Sequence, residues 1–320
     1  MNRVKRVRVA ILILVALLVP SIQTGFAKSK KKKEVPTGTP ILWRKPNDIG
    51  SRDLFLGPGG SNMQPDLRQI TFLKEEKGGY SKKYRVRDGS GREWVAKIGK
   101  EAQSETSAVR LLWGLGYFTE INYLVPRVTI PGKGTFNNVR FEARPENWKR
   151  AGEWKWKQNP FVSTPEYQGL KIMMALINNW DLKDSNNVLI QTRDGNKLYY
   201  VISDLGATFG HASTTPLLWR FTRDRNNPQS YAKSDFLEKV KGNHVQLHFG
   251  GKNRGLMKDI TVNDAIWLGS WLAQLSDDQL RDAFRAANYR PDQIDQLTRE
   301  VRSRTNELLS LRPNLQIGNN

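Results

Sequence analysis

The sequence predicts an α+β fold of two lobes, in which a small antiparallel β lobe with one helix precedes a larger helical lobe. Two observations support this order. Short strand-like runs separated by glycine turns fill residues 67–145, and helix-period patterns dominate residues 146–312. A chain of 320 residues with 38% hydrophobic and 26% charged residues can bury cores of this size.

The first lobe is predicted from strand-length runs and the turns between them. Strands are expected at residues 70–74, 83–87, 93–98, 125–130 and 138–143. The turn at residues 88–91 is typical of a hairpin, because its glycines adopt the backbone angles that tight turns require. One helix is expected between the third and fourth strands, at residues 101–114, where apolar residues recur three and four positions apart.

The second lobe is predicted to be helical. Helices are expected at residues 165–178, 260–275, 276–287 and 292–309. Ser276 with Gln279 forms a capping box, and Pro291 precedes the last helix, which is a favourable position for proline. The first of these helices leads directly into the most informative segment of the chain.

That segment combines an acid, a lysine and an amide at close spacing. Asp181 is followed two positions later by Lys183 and five positions later by Asn186. Two short strands with a turn between them come next, and the second strand leads into Asp204-Leu205-Gly206. Carboxylate and amide oxygens are the ligands that Mg²⁺ uses, so these are residue types that could hold a metal ion.

The order of these residues resembles the catalytic loop and the metal-binding segment of the protein-kinase-like superfamily, and the resemblance covers residues 67–210. It implies that Asp181 orients or deprotonates the acceptor hydroxyl and that Lys183 neutralises charge on the transferred phosphoryl group. It also implies that Asp204 holds Mg²⁺ together with an amide oxygen from Asn186 or from the adjacent Asn187.

The same resemblance implies ATP as the nucleotide and places it against the first lobe. Lys97 follows the Val-Ala pair of the third predicted strand and would hold the phosphates. Glu105 on the following helix would be its ion-pair partner, with Glu101 as the alternative. Backbone amides of the loop between the first two strands would contact the phosphates, at Gly78, Gly79 and Ser81.

Several residues depart from the pattern of ordinary protein kinases. Asn179-Trp180 stand where His-Arg precedes the aspartate, and Leu205 replaces phenylalanine in the metal segment. No Ala-Pro-Glu sequence follows Gly210. The chain is therefore nearer to the atypical bacterial, secretory and lipid-kinase-like branches, and an ordinary peptide-substrate platform is not expected.

The amino-terminal residues predict export. Positive residues precede an unbroken apolar run at residues 9–19, which is shorter than the roughly 20 residues that cross a bilayer. Small residues then end at Ala27, so residues 1–27 are interpreted as a cleaved signal peptide and the mature protein as periplasmic or extracellular. Residues 28–66 are expected to form a basic disordered arm and an irregular lead-in.

The leading hypothesis is an exported kinase-like phosphotransferase that uses Mg²⁺ and ATP and acts on a hydroxyl of a protein, sugar or lipid. The formal charge of +20 and the lysines of residues 28–33 favour an anionic envelope polymer or membrane surface as a partner. Nucleic acid is not favoured, because the charge is dispersed. Two alternatives are a catalytically inactive kinase-like binding module and a basic adhesion protein that uses the lysines with Trp148, Trp154 and Trp156.

Two histidines raise a separate metal hypothesis. His244 and His248 have the spacing that lets two imidazoles on one helix share a metal ion. The flanking glycines argue against a long helix, so a structural or substrate-side role is the favoured interpretation.

Overall fold

The structure, a computed structural model, describes residues 36–79, 81–146, 148–215 and 218–312, and for residues 219 and 220 it describes the backbone alone. The predicted signal peptide and the lysine-rich segment at residues 28–33 lie outside the described residues. Among the helices that are described, none has the length and apolar character needed to span a membrane.

The elements follow the predicted order, with a β-rich first part and a helix-rich second part. The strands are β1 Thr39–Ile41, β2 Thr71–Glu76, β3 Lys82–Arg87, β4 Glu93–Ile98, β5 Asn122–Ile130, β6 Gly134–Ala143, β7 Trp148–Gly152, β8 Asn187–Thr192, β9 Lys197–Ile202, β10 Leu237–Lys241 and β11 His244–Leu247. The helices are α1 Glu101–Gly114, α2 Pro165–Leu176, α3 Trp219–Thr222, α4 Pro228–Ala232, α5 Val262–Leu272, α6 Asp277–Arg285 and α7 Pro291–Ser310.

The first lobe is a five-stranded antiparallel sheet in the order β2-β3-β4-β6-β5, with α1 inserted after β4. Side chains alternate between its two faces, as they do in any strand. Trp94 and Ala96 of β4 are fully buried in the apolar face, whereas Lys97 points to the opposite face. The predicted two-lobed α+β fold is confirmed, and its first lobe has the element order that the kinase resemblance implied.

Helix α1 is buried on nearly all sides rather than along one stripe. Its apolar residues Leu111 and Leu112 are fully buried, and so are its polar residues Ser104 and Glu105. It contacts the sheet at β5 and β6 and also contacts α6 of the second lobe. The buried polar groups of α1 therefore need partners inside the protein. For Glu105 this partner is Lys97, which is described below.

The second lobe contains more β structure than predicted. A four-stranded sheet has the order β1-β9-β8-β7, and β10 and β11 form a separate hairpin. The patterns predicted β8 and β9 but not β1, β7 or the hairpin. β7 reads Trp-Lys-Arg-Ala-Gly, lies at the edge of its sheet and is partly exposed, so it lacks the alternation that identifies a half-buried strand.

The described part of the lead-in before β2 is mostly irregular, and it packs on both lobes. Leu42 and Leu54 are buried, and β1 pairs in parallel with β9 of the other lobe. Arg110 of α1 donates to the carbonyl of Phe55, and Tyr123 Oη donates to the carbonyl of Gly60 at 2.6 Å. The described part of the lead-in is thus a component of the fold.

A buried arginine, Arg304, forms hydrogen bonds at the end of α2, shortly before Asp181. The Arg304 side chain has no exposed surface, and its guanidinium donates to the backbone carbonyls of Leu176, Tyr231 and Ser234 at 2.7–3.0 Å. It also donates to Asn178 Oδ1 at 3.1 Å and pairs with Glu300. These bonds satisfy carbonyls at a helix end that would otherwise be buried without partners.

We predict that Arg304→Met strongly destabilises the protein. The change leaves several buried carbonyls and Glu300 without a partner, which costs about 3–5 kcal/mol when one member of a buried charged pair is removed. Urea unfolding followed by circular dichroism measures the free energy of unfolding. Arg299→Met, on the exposed face of the same helix, is the matched control and should change it by less than about 0.5 kcal/mol. Equal effects of the two changes would contradict this role.

Candidate active site

The central interaction of the site is an ammonium group held by three carboxylates. Lys97 Nζ lies 2.8 Å from Glu101 Oε2, 2.9 Å from Glu105 Oε2 and 2.9 Å from Asp204 Oδ1. The predicted ion pair of Lys97 with Glu105 is present, and the alternative partner Glu101 contacts the same ammonium. The ammonium donates hydrogen bonds to Glu105 and Asp204, and Glu101 is its third ion-pair partner.

Burial and charge act in opposite directions on Lys97. Burial alone would lower its pKa, because the charged form loses its hydration. The carboxylates of Glu105, Asp204 and Glu101 outweigh that effect and raise the pKa of Lys97 above its ordinary value. Lys97 is therefore a permanent cation at the junction of β4, α1 and the residues after β9.

Asp181 is also held by cations. Lys183 Nζ lies 2.7 Å from Asp181 Oδ2, and Lys252 Nζ lies 2.7 Å from Asp181 Oδ1. Burial opposes the charge of this carboxylate, but the hydrogen bonds from Lys183 and Lys252 hold the pKa of Asp181 below its usual range. A carboxylate with a lowered pKa is a weak proton acceptor, so it is better suited to orient a hydroxyl than to deprotonate it.

Local backbone geometry aims the acidic residues at the cleft. Helix α2 ends at Leu176, two residues earlier than predicted, and Asn178 follows with a left-handed φ of 51°. Asp204 also has a left-handed φ, of 48°, directly after β9. Such backbone angles are uncommon outside glycine and concentrate at functional sites.

The structure separates the two candidate amide ligands. Asn186 Nδ2 donates to the Asp181 carbonyl at 2.7 Å, which leaves the Asn186 side-chain oxygen available as a ligand. Asn187 is only 1% exposed, and its Nδ2 donates to the Trp154 carbonyl at 3.3 Å. Asn187 is the first residue of β8 and is buried, whereas Asn186 precedes the strand and is partly exposed, so Asn186 is the more accessible of the two amides.

The loop between β2 and β3 covers one side of the site. Gly78 and Gly79 have φ angles of 100° and 77°, which glycine adopts without strain. Ser81 Oγ donates to Glu101 Oε2 at 2.7 Å, and both Gly79 and Ser81 line the cleft. Gly78 is exposed on the same loop and is not part of the lining.

These side chains surround a cavity of about 210 Å³, which we call the cleft. Its acidic residues are Glu101, Asp181 and Asp204. Its basic residues are Lys83, Lys97, Lys183, Arg223, Arg225 and Lys252. Six cations against three anions give the lining an excess of three positive charges, as expected for a site that binds phosphate groups.

Four basic residues of the cleft were not found from the sequence, and Lys83 of β3 is one of them. Lys252 lies about seventy positions after Asp181, and Arg223 and Arg225 lie in a segment without a recognisable motif. The one available signal was the pair Gly250-Gly251. A Cβ on Gly251 would lie 2.8 Å from the Trp180 Cα. Only glycine therefore lets this loop approach Trp180 closely enough to place Lys252 beside Asp181.

A second set of charges lies beside the cleft, where the two lobes are joined. Arg140 pairs with Glu105 at 3.2 Å and with Glu142 at 2.6 Å, and Arg150 pairs with Glu120 at 2.5 Å. Arg140, Glu105, Glu120 and Glu142 are buried, whereas Arg150 is exposed, and Arg140 Nε has no hydrogen-bond partner among the described residues. Through Glu105, which contacts both Lys97 and Arg140, this network of ion pairs links Lys97 to Glu142 near the end of β6.

The hinge, the connection between the two lobes at residues 144–147, begins beside this network. β6 ends at Ala143 and β7 begins at Trp148. The amides of Ala143 and Arg144 donate to the carbonyls of Ile121 and Glu93 at 2.9 and 3.2 Å. These two amides are therefore already engaged in the sheet and are not donors for a nucleotide base.

The two histidines of the separate metal hypothesis do not share a site. They lie on and just after strand β11 rather than on a helix, and His244 is exposed. Four residues of extended chain span about 13 Å, which is too far for a common ligand position. His248 instead stacks on His211 and lies 3.3 Å from Glu238.

The donor set in the cleft fits Mg²⁺ held mainly by a nucleotide. Within the described ranges, no three or more acidic or histidine side chains are grouped as a ready-made metal site. Mg²⁺ commonly binds through one or two protein carboxylates together with substrate phosphates and water. Asp204 lines the cleft and is the carboxylate that would hold the ion, whereas Asn186 is not among the described residues that line the cleft.

Solved structures with a similar fold are kinases. CtkA, a proinflammatory kinase from Helicobacter pylori, aligns with a TM-score of 0.48 and 9% identity over 77% of this chain and 95% of that chain. An amicoumacin kinase in complex with AMP-PNP, Ca²⁺ and Ami aligns with a TM-score of 0.25 and 11% identity over 76% of this chain and 90% of that one. The kinase domain of maize SIRK1, bound to AMP-PNP, aligns with a TM-score of 0.23 and 11% identity over 74% and 93%.

No family model and no curated protein matches the sequence. Identities near a tenth and TM-scores below 0.5 carry no functional conclusion. What the cleft can do is therefore decided by its own side chains.

We predict that Gly251→Ala disturbs the site and lowers stability. The new methyl group would lie 2.3 Å from the Phe249 ring and 2.8 Å from the Trp180 Cα, which requires a backbone shift that costs about 1–3 kcal/mol. Gly255→Ala in the neighbouring turn is the control, because a Cβ there meets no atom within 4 Å. Chemical denaturation of both variants measures the difference, and an unchanged Gly251→Ala protein would contradict the close approach.

We also predict that Lys252→Met raises the pKa of Asp181. The change removes one of the two cations that stabilise the charged carboxylate, while burial continues to favour the neutral form. The pKa is read from the ¹³Cγ shift of labelled aspartate across a pH titration, with the Asp181→Asn spectrum as the assignment. Lys258→Met, an exposed lysine six residues after Lys252, is the control and should not change the pKa of Asp181.

Proposed function

We propose that this chain is a kinase-like phosphotransferase that moves the γ-phosphoryl group of ATP to a hydroxyl group of a protein, sugar or lipid. The observation that carries the proposal is the convergence of Lys97, Asp204 and Asp181 on one cleft. Lys97 is anchored by Glu105 on α1, and Asp181 precedes Asn186 by five residues. These are the parts that phosphoryl transfer requires for positioning and for charge neutralisation.

Each residue has a task that its surroundings support. Lys97 donates to phosphate oxygens when they replace Asp204 as its partner, and Glu105 keeps the ammonium in place. Asp181 accepts a hydrogen bond from the acceptor hydroxyl and orients its oxygen toward the γ-phosphorus. Lys183, beside Asp181, offsets the negative charge of the transferred group.

ATP and Mg²⁺ fit the donors of the cleft. The loop that contains Gly79 and Ser81 supplies a close approach for phosphates, and the excess of positive side chains favours a polyphosphate. Asp204 and Asn186 would hold the ion, which when bound neutralises phosphate charge and fixes the position of the transferred group. Binding requires Asp204 to leave Lys97, so the two partners exchange rather than add.

A catalytically silent kinase-like binding module is the second candidate. Lys97 has three carboxylate partners, and both oxygens of Asp181 contact lysines. A protein that binds a nucleotide without transferring phosphate would also retain a cleft in which these charged side chains are paired with one another. Transfer must therefore be measured separately from binding.

The basic adhesion hypothesis loses part of its support. Trp154 and Trp156 are 3% and 2% exposed, and Trp154 Nε1 donates to the Val201 carbonyl. They pack in the second lobe and offer no surface for a glycan. Export through the predicted signal peptide, with contact between residues 28–33 and an anionic polymer or membrane surface, remains part of the proposal on the basis of the sequence.

We predict that ATP stabilises the protein only when Mg²⁺ is present and that Asp204→Asn abolishes this effect. At a ligand concentration near 100 times Kd, binding adds about 2.7 kcal/mol to the free energy of unfolding, which a thermal-shift measurement resolves. Asp204→Asn keeps the size of the side chain but removes the charge that the ion requires. Asp259→Asn, an exposed aspartate, is the control.

Transfer is then followed with γ-labelled ATP. Asp181→Asn should retain the Mg²⁺-dependent thermal shift and lose about a hundredfold or more in transfer, because the hydroxyl is no longer oriented. A thermal shift without any transfer in the unchanged protein would assign the silent module. The absence of a nucleotide shift would refute both candidates.

A further inference from the structure

We propose that the cleft recognises the triphosphate of its nucleotide and not the base, so that GTP and inorganic tripolyphosphate bind as tightly as ATP. This inference rests on the proposed function and defines which class of triphosphate its donor site binds. It follows from three observations: the charged face that the sheet of the first lobe turns toward the cleft, the ion pairs between the cleft and the hinge, and the polar lining of the cleft.

The sheet of the first lobe turns charged side chains toward the cleft. Residues that lie directly opposite each other on paired strands share one face of a sheet. Lys97 of β4 lies opposite Lys83 of β3 and opposite Arg140 of β6. Lys83 and Lys97 line the cleft, and the apolar core of the sheet lies on the other face. This face is therefore suited to phosphate oxygens at the position of Lys97.

Toward the hinge, the same face offers a base little apolar surface. Side chains alternate along a strand, so Val95 is the next residue beside Lys97 on this face of β4. Val95 lies opposite Arg85 on β3 and opposite Glu142 on β6. Arg85 in turn pairs with Glu76 at 2.7 Å. A base binds by stacking on aromatic or apolar side chains, and one valine between two charged residues does not provide such a surface.

The carboxylate of Glu142 is already paired and does not serve a base. Its Oε2 lies 2.6 Å from Arg140, and its Oε1 pairs with Arg144 and lies 3.2 Å from Arg150. A guanine base could offer two N–H donors to a carboxylate at this place. Glu142 would first have to give up a guanidinium, and separating a buried ion pair leaves an uncompensated charge. The ion pairs therefore favour neither guanine nor adenine.

The hinge faces a different cavity. Arg144, Pro145 and Glu146 line a groove of about 900 Å³ together with Gly91 of the turn between β3 and β4. Among the described residues, none lines both this groove and the cleft. Pro145 has no N–H, and the amides of Ala143 and Arg144 donate to carbonyls of the first lobe. The described hinge residues thus do not border the space in which the phosphates would bind.

The cleft itself has the lining of a phosphate site rather than of a nucleoside site. Its volume of about 210 Å³ lies below the roughly 300–1,000 Å³ of most sites for small organic ligands, which are mainly apolar. Trp180 is the single residue with an aromatic ring among the described residues that line it, and most of the others are charged. A triphosphate satisfies these charges by itself, and a base adds no contact to them.

Lys83 offers a matched pair of variants. A Cβ on Gly79 would lie 3.0 Å from Lys83 Nζ, so this ammonium lies against the loop between β2 and β3 that covers the cleft. Lys82, the preceding residue, is exposed, and its ammonium lies 5.1 Å from the centroid of the Tyr84 ring on the other face of the sheet. Replacing either lysine removes one positive charge, but only Lys83 lines the cleft.

The experiment compares ligands that share the triphosphate and differ in the base. Isothermal titration of the full chain in excess Mg²⁺ measures the Kd of ATP, GTP, inorganic tripolyphosphate and adenosine. We expect the three triphosphates to agree within about threefold, because a base that stacks in a pocket adds about fivefold or more, and we expect adenosine not to bind. Lys83→Met should weaken all three triphosphates equally, by about tenfold, whereas Lys82→Met should change none of them.

The outcomes separate this inference from the proposed function. A Kd of GTP or tripolyphosphate more than about threefold above that of ATP overturns the inference, because the base is then recognised. Equal effects of Lys83→Met and Lys82→Met also overturn it. In either case, transfer from γ-labelled ATP would leave the proposed function in place. Equal binding of the triphosphates without any transfer supports the inference and assigns the silent module. If none of the triphosphates binds, both the inference and the proposed function fail.

Discussion

The structure depends on one buried ammonium group. Lys97 is 2% exposed, and its three carboxylate partners come from two sites on α1 and from the turn after β9. A buried cation is tolerated only when it is fully paired, so the sheet, the helix and the second lobe have to meet at this point. The left-handed backbone at Asp204 is one consequence, because it turns the carboxylate toward Lys97.

Buried charge continues from this point toward the connection between the lobes. Arg140 bridges Glu105 and Glu142, and burial acts against all of these groups. The carboxylates of Glu105 and Glu142 outweigh burial and raise the pKa of Arg140. Ion pairs of this kind contribute little net stability but are costly to break singly, so their value lies in specifying one arrangement of the lobes. The position of α1 is thereby linked to the position of the hinge.

The sequence predicted those strands, helices and ion pairs that form between residues close together in the chain. β4, α1 and the pairing of Lys97 with Glu105 followed from alternation, helix periodicity and a known residue order. The edge strand β7 and the cleft residues Arg223, Arg225 and Lys252 did not follow from local patterns, because they depend on contacts between distant segments. The burial of Asn187 did not follow from the sequence for a related reason: its position next to Asn186 says nothing about which face of β8 its side chain occupies.

The ion pairs of the cleft, rather than the fold, separate a catalyst from a silent module. In the proposed function, phosphate oxygens take the place of Asp204 on Lys97, and Asp204 would hold the ion. Asp181 contacts Lys183 and Lys252 at 2.7 Å, so an acceptor hydroxyl has to approach this carboxylate beside two cations. A silent module requires only the nucleotide side of the cleft, whereas transfer also requires that Asp181 exchange a lysine for the hydroxyl.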